Sequence, residues 1–245
     1  MKYLFVSDLH LEADSPRSVA AFTALLRGEA RSATALYVLG DLFEAWVGDD
    51  DPDPLRDAVC REMAALAATG VPVFVMHGNR DFLYGSGFEA RSGATLLPDP
   101  CVATLFGERV LLTHGDLLCT LDTKYQEFRR FVRDPVNQQR FLAMPLAERR
   151  RIAAQTREGT QSSMAEKAAD IMDVSEDEVA RVMRAHDASV LIHGHTHRPA
   201  THRFDLDGRP GTRHVLGDWY EAGQVLVFDD GRYSLQAVAA LLATA

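Results

Sequence analysis

The stretch Leu191-Ile192-His193-Gly194-His195-Thr196-His197-Arg198-Pro199 decides the fold. Val190 to Ile192, with Ala188 just before them, form a short apolar run that reads as a buried strand. The run leads straight into Gly194, which lets the backbone turn tightly, and into alternating histidines. Alternate residues of extended chain share a face, so His195 and His197 are expected to point to the same side. Two imidazoles converging at a strand end are candidate metal ligands.

The same grammar recurs upstream. Tyr3 to Val6 is an apolar strand ending in Ser7-Asp8-Leu9-His10. Ala35 to Leu39 ends in Gly40-Asp41, and Val73 to Met76 ends in His77-Gly78-Asn79-Arg80-Asp81. Val102 to Leu105 and Arg109 to Leu112 read as a hairpin around Gly107-Glu108, whose second arm ends in Thr113-His114-Gly115-Asp116. A single Asp or Asn after a strand is ordinarily a turn former. Five such clusters of hard or borderline ligands, all at strand exits, are better explained as one site.

Between the strands lie helices. Ser15-Pro16 opens one that Gly28 stops, with Val19, Phe22, Leu25 and Leu26 on one face; Asp53-Pro54 opens another that runs to Ala68. This alternation predicts a layered α/β core. From Asp122 to about His186 the strands stop. Thr123 to Val132, Pro135 to Leu142, Pro145 to about Ala169, and a segment opened by Ser175 with Glu178 read as helices. The expected organisation is a core of 1–121 and 187–245 with a helical insert, or cap, at 122–186. Further strands follow at Thr201 to Phe204, Arg213 to Leu216, Gln224 to Phe228 and Tyr233 to Gln236.

Composition bounds the class. A chain of 245 residues needs no covalent staples to bury a core. Its 3 cysteines are widely spaced and suggest neither a disulfide framework nor a zinc knuckle. The opening apolar run is too short for a signal peptide, and no apolar stretch is long enough to span a bilayer, so a cytoplasmic protein is expected. A net charge of −9 argues against general nucleic-acid binding.

The ordered set Asp8/His10, Gly40-Asp41, Gly78 to Asp81, His114 and Gly194 to His197 resembles the calcineurin-like metallophosphoesterases. The resemblance implies two packed mixed β-sheets flanked by helices, with a dinuclear metal site at the strand ends. Two cations about 3.5–4 Å apart need a bridging carboxylate. Asp41, standing alone between the other clusters, is the expected bridge. Asp8, His10 and His197 would complete one metal; Asn79, His114 and His195 the other. Carboxylate and imidazole ligands without thiolate suit Mn2+, with Zn2+, Co2+ or Fe2+ as alternatives.

Gly40 to Glu44, His77 to Phe82, Ile171 to Val174 and Ile192 to Pro199 are similar to the branch of that family acting on UDP-2,3-diacylglucosamine. That similarity implies hydrolysis to UMP and 2,3-diacylglucosamine 1-phosphate in lipid A biosynthesis, by metal-generated hydroxide attacking the α-phosphorus. It also implies Mn2+, peripheral attachment to the cytoplasmic face of the inner membrane, and substrate contacts at Asn79, Arg80, Asp122, Thr160, Met164, Lys167 and His195. Many relatives carry His where this chain has Arg80. Arginine is a poor proton donor but clamps phosphate bidentately, which favours a pyrophosphate substrate. The insert interleaves Phe128, Phe131, Val132, Phe141, Leu142 and Ile152 with Arg129, Arg130, Arg133, Arg149, Arg150 and Arg151. An acyl-chain groove with an arginine rim facing anionic inner-membrane lipids is one reading; an amphipathic face packed on the core is the other.

Overall fold

In the computed structural model, β1 (Lys2–Val6) pairs in parallel with β2 (Ala35–Leu39), β2 with β3 (Val73–Met76), and β3 with β4 (Thr95–Leu97). On the other side of β1, β10 (Gln224–Asp229) and β11 (Arg232–Ala237) add antiparallel, closing a six-stranded sheet. A second, five-stranded sheet runs β5-β6-β7-β9-β8. Its middle strands β6 (Glu108–Leu112), β7 (Val190–His193) and β9 (Arg209–Val215) are parallel, and β5 (Cys101–Leu105) and β8 (Ala200–Leu206) are antiparallel edges. Residues 1–166, 173–220 and 223–243 are described, the side chains of 160–166 excepted.

Strand alternation distributes the core. Leu4 and Val6 face one way, into a layer with α1 (Pro16–Arg27), α2 (Pro54–Ala67), α3 (Ser86–Ser92) and α8 (Val238–Ala243). Phe5 faces the other way, with Tyr37, Leu39 and Met76, against Val110, Leu112, Val190 and Ile192 of the second sheet. Leu111 and Leu191 point outward onto Val179, Val182 and Met183 of α7 (Glu176–Ala185). The α/β class, with two mixed sheets flanked by helices, is as expected. Strands buried on both faces explain why β2 reads as a continuous apolar run rather than an alternating one.

Several local expectations change. Ser15 does not cap α1; its hydroxyl bonds Glu12 instead. The Ser175 side chain accepts from the Glu178 N–H, but Glu178 turns to Arg181, so the capping box is half made. The short α3, β4 and α8 have no counterpart in the sequence reading. Three more helices, α4 (Thr123–Arg133), α5 (Pro135–Leu142) and α6 (Leu146–Glu166), lie between β6 and α7. The sheets deliver the C-terminal ends of β1, β2, β3, β6 and β7 to one region.

Candidate metal centre

Asp8, His10, Asp41, Asn79, His114, His195 and His197 meet there. The ligand atoms of Asp8, His10 and His197 lie within 4.8 Å of one another, and so do those of Asp8, Asp41 and His114. Asp41 Oδ2 stands 3.7 Å from His10 Nε2 and 3.8 Å from His114 Nε2, between the two groups. Asn79 Oδ1 is 2.9 Å from both His114 Nε2 and His195 Nδ1.

Backbone shape sets these positions. Asp8, His10, Asp41, His195 and His197 all have left-handed φ, between 48° and 69°. Such conformations cost non-glycine residues about 1–3 kcal/mol each and persist where surroundings over-determine them. The expected reason for the convergence of His195 and His197 is therefore wrong. β7 ends at His193, and the chain beyond it is not extended. The two imidazoles diverge: His195 reaches Asn79, whereas His197 Nε2 lies 3.4 Å from Asp8 Oδ1 and 3.4 Å from His10 Nε2. The glycines allow the crowding: a Cβ on Gly78 would land on Asp41 Oδ1, and one on Gly194 on Asp8 Oδ2.

Three imidazoles share one arrangement. His10 Nδ1 contacts Glu44 at 2.8 Å, His114 Nδ1 contacts the Leu39 carbonyl at 2.9 Å, and His197 Nδ1 faces Asp218 at 3.4 Å. Each outer acceptor favours the proton on Nδ1, a tautomer assigned from these contacts, and turns the Nε2 lone pair inward. The inward Nε2 of His114 stands 2.9 Å from the Asn79 carbonyl oxygen, so with no cation between them a proton on Nε2 takes the cation's place. Asp8 Oδ1 is buried with no hydrogen-bond partner. A divalent cation answers this set of inward lone pairs; the donor chemistry fits one with oxygen and imidazole preference.

Charge follows the same logic. Burial alone would lower the His114 imidazole, yet Asp41, Asp8 and Asp116 raise it to about 9. Burial pushes Asp41 up. Burial also pushes His195 down to about 4, with the His114 charge adding to it. Burial opposes ionisation of Asp8, but His197, His114 and His10 hold it below the usual carboxylate range.

The sequence reading missed the supports. Asp81, fully buried, accepts four backbone N–H bonds, from Gly78, Asp41, Leu42 and Phe43, and one from the Tyr84 hydroxyl. It ties the β2 and β3 exits together, rather than pairing with Arg80. Asp116 Oδ2 accepts from Tyr125 at 2.7 Å and Arg129 at 2.8 Å, and the Tyr125 ring lies against His195. Loop position and polarity were the only available signals.

Of the expected substrate contacts, Asn79, Arg80 and His195 are at the centre, with the Arg80 N–H donating to Asp41 Oδ1 at 2.8 Å. Asp122 caps α4 through the Tyr125 N–H. Thr160 and Met164 fall on α6 where side chains lie outside the described residues; Lys167, Ile171 and Met172 lie outside them entirely. The arginine rim needs correction. Arg149, only 2% exposed, pairs with Asp50 and donates to the Val47 carbonyl; Arg150 pairs with Asp51; Arg129 bridges Asp99 and Asp116. Asp51, Asp99 and Asp116 are buried carboxylates, and Arg149 is itself buried against an exposed Asp50, so each of these pairs has one desolvated partner and is held more firmly than a contact with water-exposed lipid headgroups would be.

A family model describing calcineurin-like phosphoesterases matches residues 1–199. The chain belongs to that family. It is 52% identical over 236 residues to a UDP-2,3-diacylglucosamine hydrolase of Aeromonas hydrophila, covering 96% of this chain and 98% of that one. It is 49% identical over 246 residues to the protein of the same name from Stenotrophomonas maltophilia, covering 98% and 99%. Among solved structures, YfcE, a phosphoesterase from E. coli, superposes with a TM-score of 0.50 at 16% identity, covering 98% of this chain and 95% of that one. That likeness speaks to the fold alone.

Proposed function

We propose that this chain hydrolyses the pyrophosphate bond of UDP-2,3-diacylglucosamine, giving UMP and 2,3-diacylglucosamine 1-phosphate in lipid A biosynthesis. The substrate is taken from the near full-length relatives. The observation that carries the hydrolytic reading is the ring of imidazoles, each held by an outer acceptor, turned inward on Asp8 and Asp41.

Two Mn2+ ions per chain fit the donor set. Asp8, His10, Asp41 and His197 would hold one; Asp41, Asn79, His114 and His195 the other. Bound there, they supply Lewis-acid polarisation of phosphoryl oxygen and activation of water. The chain's own residues do the rest. Glu44, the Leu39 carbonyl and Asp218 keep protons on the outer ring nitrogens. Arg80 offers a planar fork of donors to the pyrophosphate. Neutral His195 and Asn79, with Asp122, Thr160, Met164 and Lys167, are assigned to substrate. Attack falls on the α-phosphorus, and the departing sugar phosphate leaves without a side-chain acid.

We read 122–186 as a cap on a core of 1–121 and 187–245; α7 packs on the second sheet, so the cap proper is α4 to α6. No helix among the described residues is long and apolar enough to cross a membrane. Leu121, Phe128, Phe131, Val136 and Leu142 are nonetheless 38–62% exposed, beside exposed Arg130 and Arg140. These exposed apolar side chains support peripheral attachment to lipids on the cytoplasmic side of the inner membrane. Mass spectrometry of products formed from UDP-2,3-diacylglucosamine with added Mn2+ tests the reading. UMP and the acylated sugar phosphate are expected. Absence of cleavage, or equal cleavage of UDP-N-acetylglucosamine, refutes it.

A further inference from the structure

An aromatic side chain stands exposed at the centre without an assigned role. Tyr220 is 58% exposed, yet its ring stacks on His10 at 5.4 Å with 12° between planes and lies 5.9 Å from His197. The segment carrying it is fixed on several sides. The Trp219 N–H donates to the Asp8 carbonyl at 3.3 Å, and the Ser18 hydroxyl donates to the Trp219 carbonyl at 2.8 Å. Trp219 itself is buried edge-on against Phe22. The Tyr220 N–H donates to Asp218 Oδ1 at 3.2 Å, while Asp218 Oδ2 faces His197. One carboxylate thus contacts both a candidate ligand and the backbone of the residue that carries the exposed ring.

An aromatic ring held rigid beside a phosphate-handling centre, with open surface toward solvent, is suited to a flat, weakly charged partner. Packing alone gives no reason to leave so much of it in water. Aromatic platforms bind bases through their π-faces and lose little entropy in doing so. We infer that Tyr220 is the stacking platform for the pyrimidine base of the nucleotide half of the substrate, an inference that rests on the function proposed above. The lipid half would then extend the other way, toward α4, whose Tyr125 ring lies against His195.

The test is binding of UMP and of ribose 5-phosphate, which lacks the base, to the Mn2+-loaded enzyme by calorimetry. Wild type should prefer UMP. Tyr220→Ala should weaken UMP roughly 5- to 150-fold, the usual range for losing a base-stacking ring. Ribose 5-phosphate affinity should not change. Tyr220→Phe should stay within about twofold of wild type, since the ring is retained. Equal wild-type affinity for the two ligands, or no binding of either, overturns the inference without any variant. So does Tyr220→Ala weakening both alike or neither. Should wild type select UMP through Tyr220 yet fail to cleave UDP-2,3-diacylglucosamine, the substrate reading falls and the platform stands.

Discussion

Asp81→Asn removes one negative charge and keeps the side-chain volume at a position with no solvent contact. The carboxylate now serves two sides. Oδ1 takes Gly78 N at 2.8 Å and Asp41 N at 3.2 Å; Oδ2 takes Leu42 N at 2.7 Å, Phe43 N at 3.3 Å and the Tyr84 hydroxyl at 2.5 Å. Asparagine keeps one carbonyl oxygen. Whichever side it serves, an NH2 group confronts two backbone N–H donors on the other. Tyr84 can rotate its hydroxyl to accept; the backbone donors cannot. Two buried unsatisfied donors at about 1–3 kcal/mol each, with charge assistance lost on the remaining bonds, give a destabilisation of about 3–5 kcal/mol. That is a large part of the about 5–15 kcal/mol that holds a domain folded. Asp41 is held by this network from both ends, through its own N–H and through Arg80 N, so Mn2+ affinity should fall about 10–100-fold. Urea denaturation reads the first number, and titration of free Mn2+ by electron paramagnetic resonance reads the second. Stability within about 1 kcal/mol of wild type refutes the accounting. Reduced stability with unchanged Mn2+ affinity refutes the claim that Asp81 positions the ligand loops.

Asp41→Ala should lose bound metal by elemental analysis and reduce turnover by orders of magnitude, and chelated wild type should regain activity with Mn2+; full activity in excess chelator contradicts the metal reading. Hydrolysis in heavy-oxygen water should label UMP, and label in the acylated sugar phosphate would move the attack to the other phosphorus. Phe131→Ser, at a residue 62% exposed, should leave thermal stability unchanged and weaken sedimentation with anionic vesicles several-fold, whereas Phe141 packs against the core and is a poor site for this test. His214 is pushed down to about 4 from 6.5, first by burial and then by the Arg203 charge. The unfolded chain therefore binds a proton below pH 6.5 that the folded one refuses, so stability should fall as pH drops from 6.5 to about 4, by up to roughly 3 kcal/mol from this residue. His214→Gln should flatten that part of the urea-midpoint profile.

Periodicity and motif order made much of this protein legible. β1, β2, β3 and β7 are apolar runs because both faces are covered, and each ends in a polar cluster that local chemistry marks as unusual. The hairpin β5–β6 and helices α1 and α2 carried their own turn and proline signals. Short elements did not announce themselves: α3 is SGFEARS and β4 only TLL, too brief for a period to show. Arg129, Arg149 and Arg150 looked like a solvated basic face because nothing local marks their partners Asp99, Asp116, Asp50 and Asp51.

The sequence by itself determined which residue types reach the strand ends, and so the family and its chemistry: carboxylates, an amide and imidazoles, with no thiolate. Only the tertiary structure decided how they meet. The left-handed turns at Asp8, His10, Asp41, His195 and His197, the outer acceptors Glu44 and Asp218, the Asp81 hub and the exposed ring of Tyr220 all depend on segments distant in the chain. A strained backbone and a fixed tautomer are set by neighbours that packing supplies, and no local pattern of side chains encodes them.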